Sequence, residues 1–105
     1  MDNKPEITRH GEKRLRKRVG VTRSASYKTA ERAYKYGIDH DHARGRLRRY
    51  MEWLYQKHHG KADNIRIYNG FVFIFAGKYL LTTFPIPAEY RKTAQDQQKT
   101  HILQG

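Results

Sequence analysis

The chain of 105 residues contains no cysteine. That excludes disulfides, Cys-ligated zinc, iron–sulfur clusters and a thiol nucleophile, and it suits a reducing compartment. Proline is scarce, with three in all, and two of them, Pro85 and Pro87, sit close together late in the chain. No apolar run approaches the roughly 18 residues needed to span a bilayer. The opening MDNKPEITRH lacks the apolar core of a signal peptide. The expectation is a soluble, cytoplasmic protein with no membrane partner. Chemical signatures are missing too: there is no P-loop, no GxGxxG and no His-Glu-x-x-His. Glu12, Glu31, Glu52 and Glu89 are spread along the chain, which argues against a two-metal nuclease or a glycosidase. His40-Asp41-His42 and the pair His58-His59 lack the rest of a ligand set, so no metal and no cofactor are expected.

Acidic residues are also few. Ten Asp+Glu face 22 Lys+Arg, for a formal net charge of +12. A charge this high repels itself, and it points to an anionic partner. Nucleic acid is the first expectation, and an acidic protein is the second. The charge is uneven. Residues 1–60 hold 16 Lys+Arg and 7 Asp+Glu, whereas residues 61–105 hold 6 and 3. It peaks at Arg9–Arg23 and again at Arg44–Arg49.

The first half reads as three helices. Thr8 is placed to cap a helix over Arg9 to Val19, since its hydroxyl can take an unpaired N–H of the first turn. Ile7, Leu15 and Val19 form a thin apolar stripe there, and Gly20 ends it. Around the stripe lie Arg9, His10, Lys13, Arg14, Arg16, Lys17 and Arg18. A second helix is predicted over Ser24–Tyr36, ending on a left-handed Gly37 followed by an apolar Ile38. A third spans His42–His59. Its Leu47, Tyr50, Met51, Leu54 and His58 recur at helical spacing, and its other face presents Arg44, Arg46, Arg48 and Arg49.

The second half reads as an antiparallel meander of Ile65–Tyr68, Phe71–Ala76 and Tyr79–Phe84. Asn69-Gly70 and Gly77-Lys78 are two-residue hairpin turns, and such turns fix the register. That register puts Phe73 opposite Thr82 and Ile74 opposite Leu81. One face is then aliphatic: Ile65, Ile67, Val72, Ile74, Ala76, Tyr79, Leu81 and Thr83. It is assigned to the core under the helices. The other carries Arg66, Tyr68, Phe71, Phe73, Phe75, Leu80, Thr82 and Phe84. An aromatic face with an Arg is either covered by the C-terminal segment, with Tyr90 placed on it, or used to stack bases. Residues 88–105 are polar, and are expected to be partly helical and then mobile.

The fold class expected is therefore α+β: about three N-terminal helices packed on a three- to four-stranded antiparallel meander. Residues 1–87 form a single basic domain and 88–105 a polar tail. His, Arg, Lys, Thr and Tyr suffice for metal-independent cleavage of RNA, whose 2′-OH is the nucleophile. His10 is the acid–base candidate. Arg14, Arg18 and Arg66 could hold phosphate oxygens, and Thr82 could donate to a non-bridging oxygen. Lys13, Lys17, Arg18, Arg44, Arg46, Arg48 and Arg49 would contact the backbone, and Tyr68 and Phe73 would stack on bases.

The run Ile7-Thr8-Arg9-His10-Gly11-Glu12-Lys13-Arg14-Leu15-Arg16-Lys17-Arg18, with Leu81-Thr82-Thr83-Phe84-Pro85 at the end of the sheet, resembles RelE-like toxins and the wider group of small barnase–colicin-type ribonucleases. The resemblance covers roughly Ile7–Pro87 in order of elements. It implies a toxin or phage-encoded effector acting on RNA, with His10, Arg14 and Thr82 at the site and an acidic antitoxin or host protein as partner. The Arg44–His59 helix is longer than such a toxin has, and the family's C-terminal catalytic residues have no match here. A non-catalytic phage or mobile-element protein that binds nucleic acid, or inhibits a host enzyme, stands beside the ribonuclease reading.

Overall fold

The computed structural model describes residues 4–104, with side chains for residues 4–22 and 24–101. Residues 1–3, the start of the segment read as lacking a leader, and Gly105, the end of the polar tail, lie outside the described residues. The chain folds as α+β. Strands β1 (Glu6–Ile7), β2 (Asn64–Tyr68), β3 (Phe71–Ala76) and β4 (Tyr79–Pro85) form one sheet in the order β1-β4-β3-β2. Helices are α1 (Arg9–Arg14), continued by a π turn over Leu15–Val19, then α2 (Arg23–Tyr36), α3 (Gly45–Lys57) and α4 (Ala88–Gln104). Among the described residues no helix is long and apolar enough to cross a membrane.

Thr8 caps α1 as its position predicts, its hydroxyl accepting from the Gly11 N–H at 2.9 Å. The π turn closes with an i→i+5 bond from Gly20 N–H to the Leu15 carbonyl at 3.2 Å. Asn69 and Gly70 sit at φ 53° and 83°, the left-handed pair that a tight hairpin turn demands. Both hairpins form, and β2–β3 pairs in the expected register, Ile67 with Val72 and Ile65 with Ile74.

The sheet is mixed, not purely antiparallel. β1 runs parallel to β4, pairing Glu6 with Tyr79 and Ile7 with Leu80. Register on β4 also departs from the regular hairpin. Phe75 pairs with Leu80 but Ile74 pairs with Thr82, so Leu81 is the extra residue of a bulge. A bulge shifts the period-2 alternation by one residue. Phe73 therefore meets Thr83, and Thr82 and Phe84 move to the aliphatic face.

Helices cover both faces, which corrects the one-sided packing expected. Leu15, Ala30 and Ala33 of the N-terminal helical segments bury Phe73, Phe75 and Leu80. Leu47, Met51 and Leu54 of α3, with Ala94 of α4, bury Ile65, Ile67, Val72 and Ile74. Burying a Phe side chain contributes roughly 1.5–3 kcal/mol, so covering Phe73 and Phe75 is strongly favoured over leaving them exposed. The small residues of α2 let it approach closely enough to cover them.

Two further expectations change. Gly37 does not adopt the left-handed conformation; its φ is −64°. A Cβ there would lie 2.5 Å from the Ala33 carbonyl oxygen and 2.9 Å from Arg66 Cβ. Glycine is needed for close approach, and Ile38 then bridges to Ile67 along the β2 edge. The polar tail is helical over Ala88–Gln104, in line with the helix expected for part of it, and Gln97 and Gln98 tie it to neighbouring backbone. Gln97 accepts from Arg44 N–H at 2.9 Å and donates to the Arg44 carbonyl at 3.1 Å. Gln98 donates to the Tyr36 carbonyl at 2.7 Å. Tyr90 stacks on Tyr50, over the aliphatic face and not the aromatic one.

α1 docks closely on β4. A Cβ on Gly11 would fall 2.3 Å from the Leu80 carbonyl oxygen. Gly11→Ala is expected to destabilise the fold by about 2 kcal/mol, the scale of overpacking at a rigid contact. Urea unfolding checks this, and an unchanged midpoint would contradict the docking.

Candidate nucleic-acid interface

The most basic segment is anchored at its start by one carbonyl. The Leu80 oxygen accepts from Thr8 N–H at 3.2 Å and from the Thr8 hydroxyl at 2.8 Å. With Leu15 buried beneath it, the helix must turn its cations outward. Arg9, Lys13, Arg16 and Lys17 line one open groove with Glu12, Val21 and Thr22. These positions fall at i, i+4, i+7 and i+8, a single helical face with rows about 6 Å apart along the axis.

His10 and Arg14 do come together. Arg14 Nε donates to His10 Nε2 at 3.2 Å on the exposed side of the helix. Arg18, one turn on, donates to the Thr83 carbonyl at 3.2 Å. That carbonyl lies on the stretch of β4 beyond the reach of β1, which pairs only with Tyr79 and Leu80.

The other two residues of the expected catalytic set are elsewhere. Thr82 pairs with Ile74, and paired residues share a face, so it lies on the α3–α4 side of the sheet, opposite the helix of His10. The bulge at Leu81 is the cause. Thr83 takes its place on the aromatic face, fully buried, its hydroxyl donating to the Val72 carbonyl at 2.8 Å. Arg66 lies on β2, two strands from β4, where its guanidinium donates to the Gly37 carbonyl at 3.1 Å and to Asn64 at 2.9 Å. His10, Arg66 and Thr82 do not surround a common phosphate position.

Base stacking on the aromatic face is corrected likewise. Phe73 is 1% exposed, and Tyr68 is half-buried against the same cluster. Of the α3 arginines, Arg48 and Arg49 are exposed. Arg44 precedes the helix, and its backbone is the one clamped by Gln97. Arg46 meets Glu89 at 3.4 Å and lies 5.5 Å over the Tyr90 ring.

Two residues of this region, Trp53 and Lys57, were not singled out in sequence, nor was the stack that joins Trp53 to Tyr50 and Tyr90. Tyr90, Tyr50 and Trp53 stack in series: centroids 4.6 Å apart at 22°, then 6.1 Å apart at 21°. Lys57 Nζ lies 5.1 Å over the Trp53 ring. The spacing of Tyr50, Trp53 and Lys57, at i, i+3 and i+7, was the available signal. Negative charge collects away from these rings. Asp39, Asp41, Glu52 and Asp63 line one cleft with His40 and Arg66. His40 reaches Glu52 at 3.3 Å there. Among the described residues no three acidic or His side chains gather as a metal site.

Burial first, and then the neighbouring Tyr90, push the Tyr50 hydroxyl up to about 12. The folded protein thus holds this proton more tightly than the unfolded chain, where tyrosine ionises near 10.0. Stability from this group is complete below that ordinary value and is lost as pH rises through about 12. Tyr55, also raised by burial, acts in the same sense. Urea midpoints should fall across this alkaline window, and Tyr50→Phe should flatten part of the fall. An identical fall in the variant would contradict the assignment.

No protein-family model matches this chain, and neither a curated protein nor a solved structure matches it. The side chains themselves carry the functional reading.

Proposed function

We propose that the protein binds nucleic acid, RNA in the first place, through the cationic face of its N-terminal helical segment. One observation carries the reading: Arg9, Lys13, Arg16 and Lys17 line a single open groove. A repeating row of cations suits a repeating anionic backbone, and phosphate contacts gain free energy by releasing counterions. An acidic protein, such as an antitoxin or a host factor, is the competing occupant of the same cations.

Metal-independent RNA cleavage, as in the RelE-like and barnase–colicin-type ribonucleases that the opening motif resembles, is a second reading. The exposed His10–Arg14 pair favours it, since it joins a proton-transfer group to a phosphate-holding one. The residues expected to complete that site, Arg66 and Thr82, are spread over two strands and two faces. Binding without cleavage is therefore the conclusion preferred, and the effector of phage or toxin type becomes one that grips RNA.

Four phosphate contacts on a single strand give a log–log salt slope near −3. Affinity for a short single-stranded RNA should then fall about 50-fold between about 50 and 200 mM salt. Replacing both Lys13 and Lys17 by Ala should flatten the slope by about 1.4. Binding that ignores salt, or tight binding of polyglutamate that displaces RNA, would overturn the reading. Incubating RNA with the protein in excess EDTA separates the two functions. Cleavage that vanishes in His10→Ala supports the ribonuclease, and intact RNA with both proteins leaves the binder.

A further inference from the structure

The groove between α3 and α4 has no part in the cationic grip just described, and it carries its own chemistry. It holds a volume of about 540 Å³ between Arg49, Trp53 and Lys57 of α3 and Glu89 and Tyr90 of α4. Trp53 is 53% exposed, whereas the Tyr50 ring behind it is 9% exposed. A buried ring backing an exposed, nearly parallel one is a fixed stacking platform. Each end of the series carries a cation, Arg46 over Tyr90 and Lys57 over Trp53.

We propose that this groove receives an unpaired base of single-stranded RNA, stacked on Trp53, with Lys57 and Arg49 on the flanking phosphates. The inference rests on the nucleic-acid reading above and adds to it the strandedness of the ligand. Charge selects the occupant. A flat π-system bearing anionic phosphates satisfies the indole and the two cations together. A second copy of the chain would bring another +12 against this one. Glu89, the one carboxylate in the groove, already faces Arg46 at 3.4 Å. A duplex keeps its base faces stacked inside, so it cannot use the indole. Lys57 is exposed on a flexible stem, so it can leave the ring for a phosphate as the base arrives.

Trp53 is the sole tryptophan, so its fluorescence reports on this site alone. The probe is an unstructured single-stranded RNA of about a dozen nucleotides, compared with the duplex it forms with its complement. The single strand should quench Trp53 at saturation, and the duplex should bind without quenching. By anisotropy, Trp53→Ala should weaken single-strand binding about tenfold and leave duplex binding unchanged. Trp53→Phe should recover most of the loss, because it restores a ring. Lys13→Ala with Lys17→Ala should weaken both forms. Equal binding of both forms without quenching would overturn the inference and leave the nucleic-acid reading standing. Binding of neither form would overturn both. A Trp53 emission shift that follows protein concentration without RNA would assign the groove to a second copy, and overturn the inference too.

Discussion

A single backbone carbonyl, that of Leu80, accepts two hydrogen bonds from Thr8 while Gly11 presses against it without a side chain between. Those contacts lock the start of α1 to β4 and complete the parallel β1–β4 pair beside it. Once the helix is fixed there, burial of Leu15 decides its rotation, which turns Arg9, Lys13, Arg16 and Lys17 into the open groove. An unsatisfied carbonyl on a half-covered sheet edge would cost about 1–3 kcal/mol. The basic segment is thus tied down by polar pairing at its start together with a thin apolar stripe, Leu15 with Ile7 and Val19, packed on the sheet.

The sheet is the middle layer of the molecule. Its aromatic side is sealed by the N-terminal helical segments and its aliphatic side by α3 and α4. Of the two readings of the aromatic face, cover and base stacking, the structure shows cover, supplied by the N-terminal helical segments and not by the C-terminal one, and the same division leaves Trp53 outside, at the seam between α3 and α4. Positive charge flanks that seam and lines the groove of α1, whereas four carboxylates line the cleft of His40 and Arg66. An approaching polyanion would be steered by this polarity before any specific contact forms.

Local patterns in the sequence foretold what local physics decides. The Thr8 cap, the helical stripe through Leu47, Met51 and Leu54, and the Asn69-Gly70 turn all stand where their chemistry requires. Long-range features escaped. β1 has two residues and finds its partner more than seventy positions away, so no periodicity announces it. The Leu81 bulge moved Thr82 off the expected site, and no turn residue marks it. The anchoring of the tail also escaped, because glutamine carries no apolar signal, yet Gln97 and Gln98 close on the backbone of Arg44 and Tyr36. The Trp53 stack was legible at its i, i+3, i+7 spacing in α3. Its partner Tyr90 was not, because that contact depends on where α4 packs.

We propose that nucleic acid is gripped by the cationic face of the N-terminal helical segment while the acidic cleft stays unused. Amide and indole chemical-shift mapping during titration with a single-stranded RNA tests it most directly. Shifts should concentrate in Arg9–Val19, with the Trp53 indole moving alongside them, while the resonances of Asp39, Glu52 and Asp63 stay still. Shifts centred on that acidic cleft, or none within Arg9–Val19, would contradict it.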